Sequence, residues 1–220
     1  MRHRVSLSLM KLVLFGATGM VGSRIATEAS ARGHHVTAVS RSGQSPIPGV
    51  TATAADAADP AKVAALAAGA DAVASACVPP RDGSDPRGPF LAINESLVRG
   101  TREAGVERLV VVGGSGSLEV VPGQALLDRP GFPDAARPEA LAHRDALAFY
   151  RTVDDLDWTC VSPAADIAPG ARTGHYRVGG DELLTDAHGN SRISAEDYAL
   201  AFVDELERHA HPRSRISVAY

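Results

Sequence analysis

Lysine is almost missing from this chain of 220 residues: Lys11 and Lys62 are the only two, and arginine carries the rest of the positive charge. A catalytic lysine therefore has two places to come from. Cysteine is equally scarce. Cys77 and Cys160 sit within or at the end of apolar runs, as buried small hydrophobes do, which argues against a disulfide or a metal pair. No set of His, Cys, Asp and Glu has metal-ligand spacing, and no nucleophile elbow occurs, so no metal site is expected. No apolar stretch approaches the roughly 18 residues that a membrane-spanning helix needs. The run Val5 to Leu9 is too short and too interrupted by serine for a secretory signal, so residues 1–10 read as a flexible leader and the protein is expected in the cytoplasm. An excess of positive charge is also lacking. With a net charge of -4, neither nucleic acid nor membrane is an expected partner.

What is present is an alternation of short apolar runs with longer helical patterns. Leu12 to Phe15 is continuously apolar, as a strand buried on both faces should be. Val21, Ile25, Ala26 and Ala29 then recur at helical spacing, and Gly33 ends that helix. Strands follow at Val36 to Val39, Asp71 to Ala76, Leu109 to Val112 and Trp158 to Val161. Helices are expected at Ala61 to Ala68, Phe90 to Ala104 and Pro138 to Val153. Strands spaced by helices demand crossover connections, which predicts an α/β, doubly wound parallel sheet of Rossmann type. Two proline-rich stretches, Val78 to Pro89 and Val121 to Pro138, follow strand ends and read as functional or mobile loops.

After Pro163 the pattern loosens. Ser194 to Asp197 opens a helix with capping-box spacing, and Ile216, Val218 and Tyr220 alternate as a last strand. Residues 11–220 are expected to form one domain, with 164–220 as a small C-terminal, substrate-side extension packed over the sheet.

The most informative segment is Gly16-Ala17-Thr18-Gly19-Met20-Val21-Gly22, between the first strand and the first helix. A helix start presents unpaired N–H groups and positive dipole to a pyrophosphate. Gly16 permits the turn, Gly19 removes a side chain where phosphate approaches, and Gly22 lets helix and strand pack closely. At the end of the second strand, where an acidic residue usually holds ribose hydroxyls, stands Ser40-Arg41-Ser42. The planar guanidinium of Arg41 suits a 2′-phosphate, so NADP is the expected cofactor and NAD the alternative.

The spacing G-x-x-G-x-x-G resembles the short-chain dehydrogenase/reductase superfamily, especially its atypical members. Val110 to Leu118, Leu156 to Pro163 and Ser191 to Ser194 look like the NmrA-like NAD(P)-binding group, which includes proteins named NADH-flavin reductases. Thr173 to Tyr176, followed by Ser191 to Ser194, is similar to the biliverdin IXβ reductase type. The resemblance implies that Asp56, with Ala57 beside it, meets the adenine amine, although Asp56 could simply precede the helix that Asp59 caps before Pro60. It implies that Ser75, Ala76 and Cys77 pass beneath the nicotinamide ribose. Ser115, with Ser117 as second choice, matches the serine near nicotinamide.

Ordinary members of that superfamily use a tyrosine whose pKa is lowered by a lysine four residues on. Here Tyr150 is followed at that distance by Asp154, so the pair is absent and Tyr150 reads as a core residue. Pro163 to Asp166 lacks the histidine of the biliverdin-type site. His143 and His175 remain candidates for an acid or an anion-binding group. These features suggest an NAD(P)H-dependent reductase acting on a small flavin-like or quinone-like acceptor. The alternatives are a non-catalytic NAD(P)-binding sensor and, with less support, a sugar epimerase or isomerase. A monomer or a homodimer is expected.

Overall fold

The computed structural model describes residues 9–45 and 47–220, so the leader expected over 1–10 falls, up to residue 8, outside the described residues. Its first strand shows why the apolar run is continuous. In β1 (Lys11–Phe15), Leu12 and Leu14 enter one core with Ile25, Val161, Tyr198 and Phe202. Val13 and Phe15 enter a second core with Val63, Leu97, Leu147 and Trp158. A strand sandwiched between two helical layers has no polar face to offer.

Helix α1 (Met20–Ala31) leads to β2 (His35–Ser40) and β3 (Thr51–Ala54). Then come α2 (Pro60–Ala67), β4 (Ala72–Ser75), α3 (Arg87–Glu103) and β5 (Arg108–Val112). A small hairpin, β6 (Glu119–Val121) with β7 (Gln124–Ala125), precedes α4 (Arg137–Tyr150) and β8 (Asp157–Pro163). The chain ends through β9 (Asp166–Ala168), β10 (Arg177–Gly179), β11 (Arg192–Ser194), α5 (Ala195–Arg208) and β12 (Ser214–Ala219).

Eight strands form one sheet in the order β10-β12-β8-β5-β4-β1-β2-β3, parallel throughout except where β10 meets β12. Helices α1 and α5 pack together on one face, and α2, α3 and α4 on the other. This is the doubly wound Rossmann plan. The chain runs outward from β1 to β3, then returns to the middle and runs the other way from β4, which puts the topological switch between β1 and β4.

Local chemistry sets the helix ends. Asp59 Oδ1 accepts from the amides of Ala61 and Lys62, with Pro60 in the first turn of α2. Ser194 Oγ accepts from Asp197 N at 3.0 Å at the start of α5. Several elements differ from expectation. Strand β3 and the short strands β6, β7, β9 and β11 are absent from the sequence reading. Helix α3 starts inside the first proline-rich stretch, because Pro89 stands in its first turn, where a missing N–H costs nothing. The C-terminal tail also widens the sheet as well as covering it: β12 pairs with β8, and only α5 lies over a face.

Candidate functional site

At the switch point, beyond the carboxyl ends of the strands, lies a cleft of about 1030 Å³. Gly16, Thr18, Gly19, Met20 and Val21 line it. Gly16 has φ +73°, and a Cβ there would fall 2.6 Å from the backbone carbon of Ala76, so the loop lies hard against the end of β4. A Cβ on Gly22 would stand 2.1 Å from the carbonyl oxygen of Gly16, closing the loop onto α1. Gly22 therefore serves packing and does not face the cleft. Gly19 differs, because the nearest atom to a Cβ there is 3.5 Å away. The protein does not need a bare α-carbon at that position for its own packing. Helix α1 carries no side-chain cap and no acidic residue in its first turn, which leaves its first N–H groups and dipole open to an anion.

Further along the same wall stand Val39, Ser40 and Arg41. Arg41 is exposed and has no ion-pair partner among the described residues. Asp56 and the buried Ala57 also line the cleft, and Asp56 Oδ1 accepts from Ala58 N at 2.9 Å, which fixes the turn before α2. Ala76 and Cys77 form the floor. Ser75 is buried behind it, its hydroxyl oxygen accepting from Cys77 N at 3.3 Å, so it shapes the turn without reaching the cleft. Burial pushes the Cys77 thiol above its ordinary pKa.

The opposite half is built by the loop after β5 and by α4. Ser115 lines the cleft, and its hydroxyl makes no hydrogen bond among the described residues. The glycines around it are required by contact: a Cβ on Gly114 would meet His143 Cβ at 2.8 Å, and one on Gly116 would meet Ala140 Cβ at 2.6 Å. Pro79, Pro80, Ala92, Ile93 and Phe132 give this half mostly apolar walls. Arg81 and Glu139 bridge it from loop to α4 through two 2.9 Å hydrogen bonds.

Besides Gly22 and Ser75, two of the catalytic candidates stand away from the cleft. Ser117 faces away from the cleft, where its oxygen accepts from Arg215 Nη1 at 3.1 Å; that guanidinium also donates to Asp181. His175 is exposed in the stretch between β9 and β10 and does not line the cleft, because Asp197 draws the Thr173 and Gly174 amides toward α5. The histidine at the cleft is His143, half-buried on α4 and set edge-on to Phe90 with ring centroids 4.8 Å apart. Burial pushes its pKa down to about 4, despite the Glu139 carboxylate, so its ring is neutral at pH 7. The sequence does hold a signal for this wall: Ala136, Glu139, Ala140 and His143 recur at helical spacing and share one face. Tyr150 lies in the core, and burial raises its phenol pKa well above 10.

A family model described as NAD(P)H-binding matches residues 16–209. The chain belongs to that NAD(P)H-binding family. Among solved structures, a Burkholderia pseudomallei protein, provisionally described as exported, is 55% identical with a TM-score of 0.88, the match covering 96% of this chain and 100% of that one. A Bacteroides thetaiotaomicron protein, provisionally named an epimerase, is 39% identical with a TM-score of 0.87, over 97% of this chain and 98% of its own. A Streptococcus pneumoniae protein, provisionally named an NADH-flavin reductase, is 35% identical with a TM-score of 0.79, over 96% and 99%. With its doubly wound parallel sheet and this family match, the chain is an NAD(P)H-binding protein of Rossmann fold. The uncapped start of α1 and the open space at Gly19 fit the pyrophosphate of a nicotinamide dinucleotide. No helix among the described residues is long and apolar enough to cross a membrane.

Proposed function

We propose that this chain is an NADPH-dependent reductase of planar flavin-like or quinone-like acceptors. The observation that carries the reading is the acceptor half of the cleft: a free Ser115 hydroxyl among proline, alanine, isoleucine and phenylalanine side chains, with the only tyrosine of α4 withdrawn into the core. Such walls suit a flat, largely apolar ring and offer little to a polyhydroxylated sugar. The name of the Bacteroides structure brings an epimerase to mind, but Tyr150 is no available base for that chemistry.

When bound, the reduced nicotinamide supplies a hydride. The chain's own residues bind and orient. Gly16, Thr18, Gly19, Met20 and Val21 hold the pyrophosphate, and Gly22 keeps α1 close enough for its N–H groups to reach. Arg41 takes the 2′-phosphate through charge-assisted hydrogen bonds. Asp56 and Ala57 bound the adenine, and Ala76 and Cys77 support the nicotinamide ribose above Ser75. Ser115 donates a hydrogen bond to the acceptor and fixes its distance from the cofactor. Water supplies the proton taken up by the reduced acceptor, so no tyrosine-lysine pair is needed. This reading places the protein in the cytoplasm, where reduced nicotinamide dinucleotides are regenerated.

The test is steady-state oxidation of NADPH with riboflavin and with menadione. Saturable turnover is expected, and Ser115→Ala should lower kcat/KM for the acceptor about tenfold while leaving NADPH affinity unchanged. Tight NADPH binding with no turnover of either acceptor would support the sensor instead.

A further inference from the structure

One polar side chain in the acceptor half has no task in the reading above. His143 stands on the α4 face that lines the cleft, and its Cβ and Cγ occupy the space that any side chain at position 114 would need, 2.8 and 2.9 Å from an ideal Cβ. The loop that carries Ser115 is thus shaped around this histidine. The ring meets Phe90 edge-on at 64°, and neither ring nitrogen makes a hydrogen bond among the described residues. A polar ring in a mostly apolar wall costs free energy unless something takes its hydrogen bond.

Arg81 turns its Nε and Nη2 to Glu139, which holds that exposed pair together across the cleft. Ser115 and His143 are the polar side chains on this side of the cleft that make no hydrogen bond among the described residues. We propose that His143 is the second hydrogen-bond donor of the acceptor site, gripping a carbonyl oxygen or ring nitrogen of the acceptor together with Ser115. The inference rests on the reductase reading and extends it. It selects acceptors that carry two polar atoms on one edge of a flat ring system, as flavins and ortho-quinones do, over para-quinones such as menadione, whose carbonyls point to opposite sides. The imidazole donates an N–H and keeps its proton, acting as a neutral electrophile.

The experiment compares wild type, His143→Leu and His143→Gln in the full chain. Riboflavin binding to the NADP+-loaded protein is read by quenching of riboflavin fluorescence, and NADPH turnover is measured with riboflavin and menadione. NADPH affinity serves as the folding control. Leucine should weaken riboflavin binding and lower kcat/KM for riboflavin roughly tenfold or more, with a smaller loss for menadione and NADPH affinity unchanged. Glutamine, which keeps an N–H donor, should recover part of both. A leucine variant equal to wild type overturns the role of His143 and leaves the reductase reading standing. If the leucine variant loses NADPH binding through misfolding, His143→Ala takes its place: weakened riboflavin binding with intact NADPH affinity supports the role, and riboflavin binding equal to wild type overturns it. Wild-type protein that neither binds nor reduces riboflavin or menadione overturns the reductase reading itself, and this role with it.

Discussion

The phenol of Tyr150 donates a 2.9 Å hydrogen bond to Asn94 Oδ1 between α4 and α3, and both residues are buried. Asn94 in turn donates from its amide to the carbonyl oxygen of Phe90 at 2.7 Å. This chain of bonds runs through the core and not into the cleft. It gives the tyrosine that stands where a catalytic one is sought a structural role, which moves the polar work of the site to the loop after β5.

Replacing Tyr150 by phenylalanine leaves Asn94 Oδ1 buried without its donor. The expected cost is about 1–3 kcal/mol of folding stability, measured by urea denaturation. NADPH affinity and turnover should stay at the wild-type level. A variant of unchanged stability that has lost turnover would return Tyr150 to the reaction.

The three glycines of the first loop should separate when each is changed to alanine. Gly22→Ala forces a Cβ to within 2.1 Å of the Gly16 oxygen, and should cost roughly 1–3 kcal/mol of stability and also cofactor binding. Gly16→Ala combines a positive φ with a backbone clash and should behave alike. Gly19→Ala meets nothing closer than 3.5 Å, so its melting temperature should stay near wild type while NADPH affinity falls about tenfold or more. Calorimetry beside a binding titration checks both halves. Undiminished affinity in Gly19→Ala would show that the pyrophosphate lies elsewhere.

His143 also makes a prediction about acid. Its folded pKa, about 4, is below the ordinary histidine value of about 6.5, so between these pH values the unfolded chain binds more protons. Stability should be fully present above about pH 6.5 and fall as the pH drops toward 4. Glu139 and Arg81 are the charged groups that act on this ring, in opposite senses. His143→Gln should flatten that part of the stability–pH curve, measured by denaturation at stepped pH. An unaltered slope in the variant would mean that other groups produce it.

Much of this was legible because the evidence is local. A buried strand, a glycine turn and a helix stand next to each other in the chain, so β1, the loop and α1 could be read in one pass, and Arg41 followed from the end of β2. Strand β3 was missed because Thr51 to Ala54 is a half-exposed edge with no valine or isoleucine in it. The sequence reads the tail as a cover because it holds too little apolar material for a core of its own. The alternation of Ile216, Val218 and Tyr220 marks a strand but not its partner, which is β8. Arg215 and Ser217 beside them are buried, and Arg215 meets Asp181 and Ser117. The same arginine, 98 residues away in sequence from Ser117, holds that serine off the cleft that Ser115 lines. His143 and His175 differ in the element that carries them, and only His143, packed against Gly114, lines the cleft.

The dinucleotide cradle, with Arg41 at its far end, is the claim on which the rest depends. Titration of wild type and Arg41→Ala with NADPH and with NADH, followed by the fluorescence of the reduced nicotinamide, tests it directly. The account predicts saturable binding, with NADPH held about tenfold tighter than NADH in wild type and the difference lost in the variant. Absence of saturable binding, or NADH held as tightly as NADPH by wild type, would contradict it.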